Sequence, residues 1–254
     1  MTTLLHPAEI FSRRHAPTWM MLAFASGCVN AAAVLACERY VTHVTGTVTR
    51  IGMEVAHLNV LFDFAMVLVA FIAGAMLSGF LINGRVHRDR EPLHWAPLVI
   101  VAVVTAGCAV AGQLGWFGSF GGQPDEPRDF VFLGLLSFAS GLQNAAVATS
   151  TGLLVRTTHL TGPATDLGIH LVELALTRPE LRRSSFNHAL LRGGKIVAFA
   201  IGAGAGVVLA RRLGFLAFLV PATIVVIATV RSFLPTRAPA DPRPEMQTAR
   251  PSLV

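Results

Sequence analysis

Phe24-Ala25-Ser26-Gly27-Cys28-Val29-Asn30-Ala31-Ala32 returns later in the chain as Phe138-Ala139-Ser140-Gly141-Leu142-Gln143-Asn144-Ala145-Ala146, identical at seven of nine positions. A second block follows each copy. Thr42-His43-Val44-Thr45-Gly46-Thr47-Val48-Thr49-Arg50-Ile51-Gly52 matches Thr158-His159-Leu160-Thr161-Gly162-Pro163-Ala164-Thr165-Asp166-Leu167-Gly168 at six of eleven positions. Two blocks in one order at nearly one spacing are a duplication. In an apolar chain, a duplication of this length predicts a transporter or channel built from two halves.

Composition sets the medium. Of 254 residues, 53% are hydrophobic and 13% charged, where soluble domains carry about 25% charged residues. The charges leave apolar runs free that match the roughly 20 residues needed to cross a bilayer. The net charge of +6 comes from arginines at the ends of those runs, and no stretch interleaves aromatics and bases as a nucleic-acid surface requires. A lipid bilayer is therefore an expected partner and nucleic acid is not. Cys28, Cys37 and Cys108 lie scattered in apolar segments and read as small buried hydrophobes. Arg13 and Arg14 precede a run of full spanning length, which argues against a cleaved leader.

The expected fold is an all-α membrane protein with six spanning helices. They run over residues 18–37, 60–82, 95–114, 130–149, 190–210 and 213–234. Residues 1–17 form a cytoplasmic lead, 18–122 the first membrane repeat, 123–234 the second, and the Pro-rich stretch 235–254 a disordered cytoplasmic tail. Three spans per repeat is an odd number, so the halves are expected to be inverted about an axis in the membrane plane. Arginine-rich segments fall on one side and the acidic stretch Asp125–Asp129 on the other, which places both termini in the cytoplasm. Ala70-Phe71-Ile72-Ala73-Gly74-Ala75 also resembles Ala198-Phe199-Ala200-Ile201-Gly202-Ala203. Small residues at four-residue spacing, such as Gly74 with Ser78 and Gly202 with Gly206, predict close helix approach within the chain or at a subunit interface.

After the first helix of each repeat comes a broken segment. Tyr40-Val41-Thr42-His43 and Val155-Arg156-Thr157-Thr158-His159 are β-branched and polar, and predict an extended strand. Thr45-Gly46 and Thr161-Gly162-Pro163 then look like a cap and the first turn of a short helix. Such segments enter a membrane only where protein or a water-filled cavity surrounds them. Inverted, the two would meet at midplane, where free N–H groups and helix dipoles favour a polar or anionic solute. The alternative is two amphipathic helices lying on opposite membrane surfaces. The candidate substrate-binding residues are Asn30, His43, Thr45, Gly46, Arg50, Asn144, His159, Thr161, Gly162 and Asp166. Arg50 and Asp166 occupy matching positions and are candidates for an ion pair across the axis, or for separate solvated helix ends. Asn30 and Asn144 act either as interhelical glue or as anchors for the broken segments. Asp63 and Lys195 read as helix-end charges.

These residues resemble a known family. Gly27-x-x-Asn30-Ala31 with Thr42-His43-x-Thr45-Gly46, and Gly141-Leu142-Gln143-Asn144-Ala145 with Arg156-Thr157-Thr158-His159-Leu160-Thr161-Gly162, are similar to the YoaK-like family, domain-of-unknown-function family 1275. The resemblance covers roughly residues 15 to 232. It implies a multi-pass protein of the bacterial inner membrane and no particular substrate. The first copy departs at Thr47, where the family pattern has Asn, and at Asn30, where relatives carry Asp. A first-half site is therefore expected to be altered.

The function expected is secondary transport of a small polar or anionic solute. Alternatives are a passive channel, or a membrane scaffold or assembly factor. No GxSxG, HExxH or nucleotide-binding motif marks an enzyme, and neither a cofactor nor a metal is indicated. A small-molecule or ion substrate and a homo-oligomer complete the expected partners.

Overall fold

The computed structural model describes residues 4–122, 127–176 and 179–234. Asp125 and Glu126 of the acidic stretch, and the tail from Pro235, lie outside them. The described chain is helical and contains no strand. Its helices are α1 Pro7–Ile10, α2 Ala16–Cys37, α3 Val44–Met53, α4 Leu58–Val86, α5 Ala96–Gln113, α6 Pro127–Ser150, α7 Thr161–Leu176, α8 Pro179–Leu213 and α9 Leu219–Ser232, with a 3₁₀ turn at Gly214–Phe218. Among the described residues, five helical stretches are long and apolar enough to cross a membrane: Ala16–Cys37, Val60–Val86, Ala96–Gln113, Arg128–Ser150 and Arg182–Ser232.

The last of these is 51 residues long, far more than one crossing requires, and it folds back on itself. Gly214 adopts φ 55°, a left-handed conformation natural to glycine. Along α8, Gly194 lies against Met20, Gly202 against Phe24 and Gly206 against Cys28, so α8 runs parallel to α2. The far end of α9 then returns to the start of α2, where Ser232 bonds His15 Nδ1 (2.9 Å) and Thr18 (2.6 Å).

The same logic orients α4 and α6. Gly134 faces Met66, Ser137 donates to the Val67 carbonyl, and Gly141 meets Phe71, so these helices are also parallel. By contrast α2 and α6, which carry the repeated motif, run oppositely. Phe130, at the start of α6, stacks near Arg39 just past the end of α2. The end of α6 reaches the segment before α2, where Leu4 and Leu5 donate to the Ser150 carbonyl.

Each motif helix thus packs along the second long helix of the other half, α2 on α8 and α4 on α6. Glycine sets how close they come. A Cβ on Gly27 would strike the Phe199 carbonyl, and one on Gly141 the Phe71 carbonyl. A Cβ on Gly74 would strike the Phe138 carbonyl, and one on Gly202 the Phe24 carbonyl. The small residues therefore serve intrachain packing, since without a hydrophobic drive in lipid, backbone approach supplies the association. Large apolar residues line the outside of the same helices. Phe62, Met66, Val69, Met76 and Phe80 are exposed on α4, and Leu190, Val197, Ile201 and Val208 on α8. Exposed apolar stripes of this extent belong in lipid.

The carboxyl end of α6 is tied down by a buried polar contact that titrates. His94 Nδ1 lies 2.8 Å from Ser150 Oγ, with both residues buried. Burial holds the imidazole down at about 4, below its ordinary 6.5. The unfolded chain therefore takes up this proton first as pH falls, so stability drains between pH 6.5 and about 4. The full effect is up to about 3 kcal/mol. His94→Gln keeps a hydrogen-bonding partner for Ser150 without titrating. Thermal melts between pH 7 and 5 should fall more steeply for the wild type than for this variant, and parallel curves would refute the assignment.

Candidate functional site

The broken segments are irregular, with bends at Val41–Thr42 and Thr157–Thr158, and the expected strands are absent. Side chains hold them in place of a sheet partner. Asn30 Oδ1 accepts from the Val41 N–H (3.2 Å), the Thr42 N–H (3.2 Å) and the Thr42 hydroxyl (3.1 Å). Asn30 is thus an anchor for the first segment, and Ser137 also donates to the Val41 carbonyl.

The second segment is held differently. Arg192 donates to the Leu154 carbonyl (2.6 Å), Lys195 Nζ to the Arg156 carbonyl (2.8 Å), and Gln143 Nε2 to the Thr157 hydroxyl (3.1 Å). Asn144, the counterpart of Asn30, has its Oδ1 buried and without a hydrogen bond. Lys195 is not a helix-end charge. It is fully buried within α8, where its ammonium meets a backbone carbonyl.

The short helices begin where the sequence placed them, but threonine does not cap them. In α3 the N-cap is His43 and the first helical residue is Val44. In α7 Thr161 is itself the first helical residue, and the Gly162 N–H donates to His159 Nε2 at 3.3 Å. The Thr45 and Thr161 carbonyls accept from Thr49 and Thr165 within their own helices. The recurring glycine makes room for the histidine: a Cβ on Gly46 would sit 2.7 Å from His43 Nδ1. In the second copy the His-x-Thr-Gly pattern is a helix start closed by an imidazole, whereas in the first His43 packs against Gly46 without a side-chain cap bond.

Both helix starts open on one cavity of about 580 Å³. Seven residues come from each half, and they form seven repeat pairs: Asn30 with Asn144, Tyr40 with Arg156, Thr42 with Thr158, His43 with His159, Val44 with Leu160, Thr45 with Thr161, and Phe71 with Phe199. Phe71 and Phe199 stand near the middles of their helices. Six of the ten candidates lie here: Asn30, His43, Thr45, Asn144, His159 and Thr161.

The other four line two smaller hollows, one on each side. Gly46 and Arg50 belong to a space of about 440 Å³ that shares Tyr40, His43 and Thr45 with the central cavity. Gly162 and Asp166 belong to a space of about 210 Å³ that shares Arg156 and His159 with it. The expected ion pair between Arg50 and Asp166 does not form. Arg50 lies 3.9 Å from Glu54 on its own helix, and Asp166 pairs with Arg192 at 3.2 Å. Each charge finds a partner within its own half.

Tyr40, Arg156, Phe71 and Phe199 escaped the motif reading because they are not identical between copies or lie outside its blocks. The alignment of Phe71 with Phe199 was the available signal. Extended along the two helices, it also sets Phe64 against Arg192 and Val67 against Lys195.

A family model described as "Protein of unknown function (DUF1275)" matches residues 18–231. No curated protein and no solved structure matches the chain.

Proposed function

Because the chain belongs to the DUF1275 family, whose description carries no activity, its function has to be read from the cavity, and we propose that it is a secondary transporter of a small polar or anionic solute. The observation that carries this reading is the lining of the central cavity by seven residue pairs, one member from each half. Equivalent elements converging on one site halfway along the helices are the arrangement that alternating access uses. In this reading the fold-back at Gly214 counts as a turn between a fifth and a sixth crossing. The antiparallel course of α2 and α6 counts as inversion of the two halves. The termini are cytoplasmic, in a bacterial inner membrane. His43 and His159 each stand between the central cavity and one flanking hollow, so they are the natural barriers on the two sides.

Paired cysteines test the convergence. In a chain with Cys28, Cys37 and Cys108 replaced by alanine, Thr45→Cys and Thr161→Cys should be joined by a short bis-maleimide. Each should react with an impermeant thiol reagent from one face at a time, with the reactive face changing between conditions. Labelling of the two sites from opposite faces, with no cross-link, would return the short helices to the membrane surfaces. Simultaneous labelling of both from both faces would mean a channel.

A further inference from the structure

We infer that the central cavity is an anion site and that Arg156 is its specificity-determining residue, an assignment that rests on the transport reading of that cavity. The cavity wall contains one permanently charged side chain, Arg156, two imidazoles, His43 and His159, and no carboxylate. Among the described residues, the Arg156 guanidinium makes no hydrogen bond or ion pair. The α8 cations that hold this segment already have partners: Arg192 binds Asp166 and the Leu154 carbonyl, with its Nε left buried and unbonded, and Lys195 binds the Arg156 carbonyl.

Those same contacts fix the backbone on which Arg156 is carried. The carbonyl of Arg156 and that of Leu154, two residues before it, are both held by cations from α8. The guanidinium is thus presented from a tethered backbone, with its donors unspent, at the wall between the central cavity, which no carboxylate lines, and the smaller hollow, whose carboxylate Asp166 is paired with Arg192. Arg156 is exposed, so its guanidinium is accessible to a solute in the cavity. Of Arg156, Arg192 and Lys195, the cluster contains one carboxylate, Asp166, so it retains an excess of positive charge that a bound anion offsets. An arginine fork also offers paired donors suited to planar oxyanions such as carboxylate and nitrate. The other half does not duplicate this feature, because Tyr40 occupies the matching position. The site therefore binds one anion on the second-half wall, with aromatic and hydroxyl surface opposite.

The test uses the full chain in an uncharged detergent with gluconate as the bulk anion. Sodium nitrate, formate, acetate and phosphate are titrated at constant sodium and constant ionic strength, and the melting temperature is read. A saturable rise with at least one of the four is expected. It should disappear in Arg156→Gln and in Arg156→Tyr, which installs the residue of the other half. Arg156→Lys should keep it with at least tenfold weaker apparent affinity. Both loss variants should melt near the wild type without added anion, because the side chain makes no contact that holds the fold. An undiminished rise in Arg156→Gln overturns the assignment, as does the absence of any rise in the wild type. A rise produced by phosphatidylglycerol micelles and by none of the four salts also overturns it, in favour of a lipid headgroup. Flux in proteoliposomes separates the two readings. Anion binding without flux leaves this site standing and removes the transporter. Flux of a neutral solute at wild-type rate in Arg156→Gln keeps the transporter and removes the anion site.

Discussion

Replacing Gly141 by valine is expected to abolish assembly of the chain. A Cβ at this position would overlap the backbone carbonyl of Phe71 on α4, and backbone cannot rotate aside as a side chain does. Overpacking a tight interior ordinarily costs about 1–3 kcal/mol and more when backbone must shift. Here the whole α4–α6 seam would have to separate. Gly27→Val should fail in the same way through the Phe199 carbonyl on α8. The control is Gly79→Val, a glycine of the same helix as Gly74 with nothing near its missing Cβ. Size-exclusion profiles should show aggregated or absent protein for Gly141→Val and Gly27→Val, and a wild-type peak for Gly79→Val. A monodisperse Gly141→Val with an unchanged melting temperature would refute the close-approach account.

The second large effect sets two repeat-related residues against each other. Asn30→Leu removes an acceptor that serves three donors of the first broken segment. A donor left unsatisfied and buried costs about 1–3 kcal/mol; with Val41 buried and Thr42 beside the cavity, a loss of about 1–3 kcal/mol is expected. Asn144→Leu removes an oxygen that has no hydrogen bond at all, and it should be neutral or mildly stabilising. Thermal melts compare the two variants, and hydrogen exchange locates the difference at Val41 and Thr42. Equal destabilisation by both would mean that Asn144 is satisfied in a conformation other than the one described here.

Much of this architecture was legible in the sequence. The duplicated motif, the apolar runs and the short helices after Thr-His-x-Thr-Gly all correspond to observed elements. Hydrophobic length and internal identity are strong local signals, and lipid leaves a chain few alternatives to helix. The failures share one cause, which is that contacts decide what composition only permits. Tyr40–His43 has strand-like residues, but the Val41 and Thr42 donors go to the Asn30 side chain in place of a sheet partner. Thr45 and Thr161 have capping chemistry, yet the first helix already starts at Val44 with His43 at its N-cap, and in the second the His159 imidazole takes the Gly162 N–H. Arg50 and Asp166 match by position, but each has a closer partner, Glu54 and Arg192. Lys195 falls near the start of the apolar run from residue 190, whereas α8 begins at Pro179 and places it well inside the helix. The four-residue α1 at Pro7–Ile10 carried no periodic signal and went unread.

The crossed pairing of helices also dictates an order of events during biosynthesis. α2 leaves the ribosome early, but its glycine-lined face fits α8, which is made only after the whole of α6 and α7. At about 5–20 residues per second, the interval between Gly27 and Gly202 is on the order of ten seconds to half a minute. Throughout that interval α2 sits in the bilayer without its main partner, while α4 waits a shorter time for α6. Closure of the bundle is therefore a late event that depends on the last third of the chain. A chain that ends before α8 leaves the seam at Gly27 without the backbone that fits it.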